Sequence, residues 1–184
     1  MTEKKDILNV FEVLNSLDEN VYETIKNHKD ELSRWKDDFV SLFIEQVKKG
    51  NFTDSENEEA KKLETTLANL YEDIISGDTG EEFWERQSKV GLRYLADGVK
   101  LDFLISMVSF LQKKFAEKVF KTYDVGEALK IYQAFKTITD AVLAVIVSGH
   151  LDIYIKSIET MSGIKKPVLE RMASLECKKI LGEA

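Results

Sequence analysis

One tyrosine in this chain stands where a buried phenol could do chemistry. In the segment FWERQSKVGLRYLADGV, the residues Phe83, Val90 and Tyr94 share one face of a predicted helix, and Asp97-Gly98 interrupts the helical pattern. A phenol on the inward face of a helix can fill space, hydrogen-bond a buried partner or ligate ferric haem. Tyr94 is therefore the first candidate site residue.

The two histidines and the single cysteine offer weaker sites. A di-iron helical bundle needs Glu-x-x-His pairs, but Ile25 and Val147 stand three residues before His28 and His150. Phosphotransfer through His150 is an option, although a lone histidine on a mostly apolar helix is more often structural. Cys177 is alone, which excludes an intramolecular disulfide and favours a reducing compartment. The sequence has no Gly-rich phosphate loop and no serine-nucleophile elbow, so we expect no enzymatic activity.

Composition and charge define the broad class of the protein. The chain has 184 residues, 43% hydrophobic and 32% charged, which is typical of one soluble globular domain. One proline and nine glycines provide little turn material, so long helices are expected. The net charge of −7 argues against nucleic-acid binding, which needs clustered cations. The start lacks a signal peptide and the apolar run 141–147 is too short to cross a bilayer, so we expect a cytoplasmic protein without membrane insertion.

Apolar residues recur at helical spacing along nearly the whole chain and predict an all-α fold of seven or eight helices. The apolar positions of the predicted helices lie within 7–14, 21–25, 32–46, 60–74, 83–94, 101–119, 129–158 and 168–181. The polar connector FTDSENEEA precedes the fourth of them and lacks the glycine and the spacing of a calcium-binding loop.

The two long helices near the C-terminus carry more apolar surface than one small domain needs to cover. Apolar residues occupy more than one face of both helices, 101–119 and 129–158. Large exposed apolar patches usually mark an interface. We therefore predict a homodimer in which these two helices and their copies form a four-helix bundle across a two-fold axis.

The segments LYEDIISGDTGEEFWERQSKVGLRYLADGVKLDFLISMV and TITDAVLAVIVSGHLDIYIKSIETM together resemble the sensor-globin family, which includes protoglobins and the globin input domains of bacterial sensors. The similarity lies in a helix that ends in a gap, Glu85-Arg86 before the Val90-Gly91 pair, a following Gly-Val pair, and two long final helices. The short helix around Asp6 to Asn15 also resembles the extra N-terminal helix of that family. The resemblance implies a globin-like fold.

The resemblance also implies a haem pocket, and both of its polar groups are replaced in this chain. In the family, the Ile-Gly pair is followed after two residues by the histidine that ligates haem iron. Counting from Val90, which would line the pocket, that position is Tyr94. A Phe-Tyr pair of the family, whose phenol faces bound gas, matches Phe39-Val40, and the proline that usually follows the Gly-Leu pair is Lys100.

Three interpretations of Tyr94 follow from the resemblance. In the one we favour, Tyr94 is a core aromatic residue, no cofactor is bound and the fold survives as a non-haem globin domain, as in stress-signalling relatives of the family. In the second, Tyr94 is a phenolate ligand of ferric haem, although its ordinary pKa near 10 opposes ionisation. In the third, His28 or His150 ligates haem instead.

The sequence as a whole predicts a dimeric signal-input domain. We expect a globin-like sensor domain over 1–163 and a C-terminal helical extension over 164–184. A downstream signalling protein is an expected partner. The alternatives are a haem-binding gas sensor or oxygen carrier and an interaction scaffold with a filled core.

Overall fold

Helices form almost all of the regular structure of this protein. The computed structural model describes residues 2–50, 58–77, 80–96 and 98–182, and these residues contain nine helices and no strand. The helices are α1 (Thr2–Asn15), α2 (Glu19–Asn27), α3 (Lys29–Ser33), α4 (Lys36–Lys49), α5 (Glu58–Ile75), α6 (Glu81–Ala96), α7 (Leu101–Thr122), α8 (Val125–Ser162) and α9 (Lys166–Leu181). The all-α prediction is confirmed. Most of the predicted connector FTDSENEEA, part of the gap after α5, and Asp97 lie outside the described residues.

The boundary between α3 and α4 divides what the sequence predicted as one helix beginning near Leu32. The backbone N–H of Trp35 donates to the carbonyl oxygen of Leu32 at 3.1 Å, a three-residue bond that tightens the turn, and regular packing resumes when Phe39 N–H donates to Trp35. Trp35 keeps helical dihedral angles, with φ −87° and ψ −8°. No glycine or proline stands nearby in the sequence to mark the break. The prediction of a continuous helix was wrong here.

Helix α8 is the central element of the fold. Its N-terminus is capped by Asp124, whose carboxylate accepts hydrogen bonds from the backbone N–H groups of Gly126 and Glu127. Its buried residues extend from Ala128 to His150, and the helix ends at Gly163, which has a left-handed φ of 73°. Among the described helices, α8 alone is long and apolar enough to span a membrane by length and composition. The packing of α1, α2, α6 and α7 against it is that of a core helix.

An aromatic core joins α4, α5, α7 and α8. It consists of Trp35, Phe39, Tyr71, Phe115 and Phe135, all buried. The rings of Phe115 and Phe135 stack in parallel with centroids 3.8 Å apart, and Phe39 meets the edge of Tyr71 at 5.4 Å. This aromatic core fills the space between α4 and the two long helices.

Helix α6 approaches α8 very closely at one glycine. A Cβ atom added to Gly91 would lie 3.1 Å from the Cα atom of Ile146 and 3.2 Å from its carbonyl oxygen. Only a residue without a side chain allows the two backbones to come this near. Gly91 therefore fixes the height at which α6, and with it Tyr94, lies on α8.

Candidate functional site

Two adjacent rows of side chains on α6 face a cleft that separates this helix from α5. The inner row is Gln87, Val90 and Tyr94, and the outer row consists of the cations Arg86, Lys89 and Arg93. Each row repeats at intervals of three and four residues, which is the spacing of neighbours along one face of a helix. Helix α6 thus presents buried polar groups inside the cleft and positive charges along its rim.

Helix α5 supplies the opposite wall with mostly polar residues. The cleft has a volume of about 820 Å³, and its lining from α5 consists of Lys61, Lys62, Thr65, Thr66, Asn69, Leu70, Glu72 and Asp73. Leu63, Leu67 and Ile74 of the same helix are buried on its other face. We refer to this space as the α5–α6 cleft.

Asp73 connects the two walls at one end of the α5–α6 cleft. Its Oδ2 atom accepts a hydrogen bond from Nε2 of Gln87 at 2.9 Å, and its Oδ1 atom lies 3.4 Å from Nη2 of Arg86. A carboxylate can only accept hydrogen bonds, so it holds the NH₂ group of Gln87 toward itself. The carbonyl Oε1 of Gln87 must then point the other way.

Gln87 is fully buried, and its Oε1 atom has no hydrogen-bond partner among the described residues. A buried acceptor without a partner costs about 1–3 kcal/mol relative to the hydrated state. Such atoms are rare in folded proteins and call for an explanation. Gln87 is one of the residues that line the cleft.

Tyr94 is the second buried polar residue of the inner row. Its side chain is 4% exposed, and the described residues provide no partner for its hydroxyl group. Burial raises the pKa of Tyr94 above its ordinary value because the phenolate would lose its hydration. Tyr94 is therefore a neutral phenol at physiological pH and can donate one hydrogen bond.

The charges around the α5–α6 cleft are unbalanced in favour of cations. Among the described residues, the lining contains five basic residues (Lys61, Lys62, Arg86, Lys89 and Arg93) and two acidic ones (Glu72 and Asp73). Both acidic residues already have cationic partners: Glu72 pairs with Lys36 at 2.5 Å, and Asp73 lies beside Arg86. The protein as a whole carries a net charge of −7, so the described part of the lining is a positive region on an acidic molecule.

The site residues predicted from the sequence separate into two groups. Tyr94 and Val90 line the α5–α6 cleft together. Phe39 and Val40 are buried on the side of α4 that meets the rest of the core, and neither contributes to the lining of the cleft. The reason is that α4 packs against α5 and α7, and Phe39 is enclosed by Tyr71 and Phe115.

Neither His28 nor His150 is among the described residues that line the cleft. Nδ1 of His28 donates to the carbonyl oxygen of Thr24 at 2.8 Å, and Nε2 lies 3.1 Å from the carboxylate of Glu127, so this ring connects α2 to α8. His150 is buried on α8, and neither ring nitrogen has a partner among the described residues. Within the same residues, no three His, Cys, Asp or Glu side chains are grouped to hold a metal ion.

Sequence reasoning identified Tyr94 but missed Gln87 and the cations of the rim. The signal for Gln87 was its spacing of seven residues from Tyr94, which places an amide in an otherwise apolar row. The signal for the rim was the series Arg86, Lys89 and Arg93, a basic stripe on one helix of an acidic protein. The contribution of α5 depends on tertiary packing and leaves no local signal.

The comparisons with known proteins agree with this arrangement of helices. The chain matches no curated protein at a significant level. A family model described as Protoglobin matches residues 12–155, which extend from α1 to the last third of α8 and include both walls of the α5–α6 cleft. Since the match covers well over half of the chain, the globin-like fold inferred from the sequence is confirmed and the chain belongs to the protoglobin family.

Proposed function

We propose that this protein is a globin-fold signal-input domain that works without haem and receives its signal in the α5–α6 cleft. The single observation that carries this proposal is the lining of the cleft. The inner row offers a neutral phenol at Tyr94 where the family resemblance expects an imidazole, and polar side chains dominate the walls. The domain has no catalysis of its own and acts in the cytoplasm.

Haem, which the family usually binds, fits the residues of this cleft poorly. Haem sites present largely apolar walls and an axial ligand to the iron. Of the fourteen described residues that line the cleft, only Leu70, Val90 and Tyr94 have apolar or aromatic side chains, and none of the fourteen is a histidine. Burying the porphyrin against the remaining lysines, threonines and amides would leave those polar groups without water.

The aromatic core supports the same conclusion from the other side of α5. Phe39 belongs to the pair that the resemblance places on the gas-facing side of a haem pocket, with Val40 at the position of the phenol, and the ring of Phe39 contacts Tyr71 and Phe115. The parallel stack of Phe115 on Phe135 occupies the neighbouring space. These close-packed rings fill the interior between α4, α7 and α8.

A haem-binding sensor or carrier is the second candidate, and two observations favour it. The hydroxyl of Tyr94 is buried without a partner, as an unligated axial residue would be. The cationic rim could pair with the carboxylates of haem. When bound, ferric haem would supply the positive charge that a phenolate ligand needs, since burial alone raises the pKa of Tyr94.

An absorption spectrum of the purified protein with one equivalent of haemin tests the choice between these candidates. We expect the broad Soret absorption of free haemin, unchanged by the protein. A sharp Soret band that saturates at one haemin per chain would contradict the proposal. A Tyr94→His variant is the matched sample. If it gains such a band while the wild type does not, the cavity can hold haem and only the ligand is missing. That result would also contradict our interpretation that the walls fit haem poorly.

The signal would leave the cleft through the long helices. Helix α6 connects almost directly to α7, and Gly91 holds it against α8 at Ile146. A ligand that moves α6 by a few tenths of an ångström therefore changes the packing of α8. Packed interfaces respond to such shifts by switching between discrete arrangements.

Dimerisation through α7 and α8 provides the output. Apolar residues stay exposed along both helices: Ile105, Phe120, Leu129, Leu151, Tyr154, Ile158 and Met161. The last four repeat at intervals of three and four residues and form a stripe that no described helix covers. We propose that a second copy covers this stripe and that a downstream signalling protein reads the resulting four-helix bundle.

Light scattering of the purified chain tests the dimer. We expect twice the monomer mass at micromolar concentration, and a loss of dimer in the Leu151→Lys, Ile158→Lys double variant. Lys156→Gln, on the same helix but off the stripe, is the control and should remain dimeric. A stable monomer of the wild type at this concentration would refute the bundle and favour a different output.

A scaffold with a filled core is the third possibility raised by the sequence. It predicts no cavity beside Tyr94, whereas this side chain lines a cleft of about 820 Å³. The cleft therefore favours a domain that receives a ligand.

A further inference from the structure

We propose that the α5–α6 cleft binds a small polyanion that carries a hydroxyl or N–H donor beside its anionic groups. This inference rests on the proposed function, since it assigns to the cleft a polar ligand in place of haem. Its basis is the coincidence, in the described lining of one cleft, of unbalanced positive charge and two residues whose buried polar atoms have no described partner.

Lysine side chains on both walls of the cleft favour an anionic ligand. Lys61 and Lys62 lie on the wall formed by α5, and Lys89 lies on the rim of α6. Within the part of the chain that the structure describes, no acidic side chain pairs with any of these three ammonium groups. The carboxylates nearest to them in the lining, Glu72 and Asp73, are already engaged by Lys36 and by Arg86 and Gln87. Three cations on facing walls can therefore contact the anionic groups of one ligand.

Tyr94 and Gln87 have opposite hydrogen-bonding requirements. The hydroxyl of Tyr94 donates and so requires an acceptor, which a carboxylate or phosphate oxygen provides. Oε1 of Gln87 accepts and requires a donor, which a bare anion lacks. Both side chains are more than nine-tenths buried and lie two helical turns apart on one row. A ligand that satisfies both must combine anionic oxygens with a hydroxyl or N–H group.

The size of the cleft and the polarity of its walls narrow the class of ligand further. Asp73 and Lys61 are twelve residues apart on α5, so the cleft extends about 18 Å along this helix. A volume of about 820 Å³ is within the usual range for small-molecule sites. Threonine, asparagine and lysine side chains on the wall favour a polar ligand, because an aliphatic ligand would bury their polar atoms without hydrogen-bond partners. Hydroxylated polycarboxylates and sugar phosphates meet all three conditions.

Calorimetric titration of the full chain at pH 7.5 and constant ionic strength tests the proposal. The carboxylate probe is citrate, and its matched control is propane-1,2,3-tricarboxylate, which has the same three carboxylates but no hydroxyl. The phosphate probe is fructose 1,6-bisphosphate, and sulfate is the control for nonspecific anion binding. We expect one site per chain for at least one probe. If citrate binds, it should bind about 5-fold more tightly than its control because it alone can donate to Gln87.

Substitutions locate the binding. Tyr94→Phe should weaken the bound probe about 5-fold, and Lys89→Gln or the pair Lys61→Gln, Lys62→Gln about 10-fold or more. Lys48→Gln is the matched control, since it removes the same charge from α4, outside the lining, and should change the affinity less than 2-fold. Circular dichroism and the thermal midpoint of each variant show that the fold is retained.

Two results would overturn the inference. One is a folded protein that binds neither citrate nor fructose 1,6-bisphosphate more tightly than sulfate. The other is binding that none of the cleft substitutions weakens. The haemin titration separates this failure from that of the proposed function: a protein that binds neither haemin nor polyanion refutes only the ligand class, whereas stoichiometric haem binding refutes the haem-free domain itself.

Discussion

Tyr71 and Tyr94 are both buried phenols, but one belongs to the aromatic core and the other lines the α5–α6 cleft. Tyr71 belongs to the aromatic core, where it is 1% exposed and its hydroxyl donates to the carbonyl oxygen of Leu32 at 2.7 Å. Tyr94 lines the α5–α6 cleft, where it is 4% exposed and its hydroxyl has no partner among the described residues. Burial raises the pKa of both side chains.

Burial alone therefore does not show that a tyrosine stabilises the fold. The hydroxyl of Tyr71 loses its hydrogen bonds to water on burial, and the hydrogen bond to Leu32 replaces them. Tyr71 therefore contributes to stability. Tyr94 bears the same loss without that compensation, and the family resemblance places it at the ligand position. We therefore expect the aromatic core to control stability and the cleft to control binding, and each variant below tests this division.

The largest effect is expected in the aromatic core. Phe115→Ala removes a fully buried ring that stacks on Phe135 and leaves a cavity, which should lower the free energy of unfolding by about 3–5 kcal/mol. Phe120→Ala, five residues further along α7 and 44% exposed, is the control and should cost much less. Urea unfolding of both variants measures the difference. Equal losses would mean that the stack does not dominate the stability of the aromatic core.

The second effect concerns the contact that positions the cleft. Gly91→Ala places a Cβ atom against backbone atoms of Ile146, so α6 must shift, at a cost of about 1–3 kcal/mol in stability. Gly149→Ala adds the same group on α8 at 4.0 Å from the carbonyl oxygen of Ser88, where it fits, and better helix propensity should stabilise the protein by about 0.5–1 kcal/mol. Thermal unfolding compares the two. A neutral Gly91→Ala variant would show that α6 is not held as tightly as the geometry implies.

Hydrophobic periodicity predicted the fold because the helices are long and their ends are chemically marked. Asp124 caps α8 and Gly163 ends it, and both stand at the predicted breaks. The break between α3 and α4 escaped prediction because Trp35 keeps helical dihedral angles and no breaking residue is present. Helix boundaries were readable only where a cap or a left-handed residue marks them.

The sequence predicted the part of the candidate site that lies on α6, because the spacing of residues within that helix shows which side chains share a face. Tyr94 and Val90 share one row of α6, and spacing alone shows this. The hydrogen bond from Gln87 to Asp73 joins two helices, and no periodicity within either helix predicts which polar residues will meet. The contribution of Lys61 and Lys62 of α5 to the cleft was missed for the same reason.

The third prediction concerns alkaline pH. Because the pKa of Tyr71 and Tyr94 is raised in the folded state above the unfolded value near 10, the folded protein holds these protons more tightly. Their contribution to stability is complete below pH 10 and falls above it, by about 1.4 kcal/mol per pH unit for each tyrosine. Urea unfolding at pH 9.5 and 11 measures this loss. Tyr71→Phe and Tyr94→Phe should each show a smaller loss than the wild type, and an unchanged loss in either variant would contradict burial of that phenol.

The smallest effect decides the comparison between the two phenols most directly. At pH 7, Tyr71→Phe deletes the hydrogen bond to Leu32 and should cost about 1 kcal/mol of stability. Tyr94→Phe removes a hydroxyl that has no described partner, so the same deletion should be neutral or slightly stabilising. For binding of a polyanion to the cleft, Tyr94→Phe should have the larger effect, because Tyr94 lines the cleft and Tyr71 does not. Urea unfolding combined with titration of citrate or fructose 1,6-bisphosphate measures both properties on the same two variants. If Tyr94→Phe proved the more destabilising and left binding unchanged, Tyr94 would be the structural phenol, and the division between core and cleft would have to be abandoned.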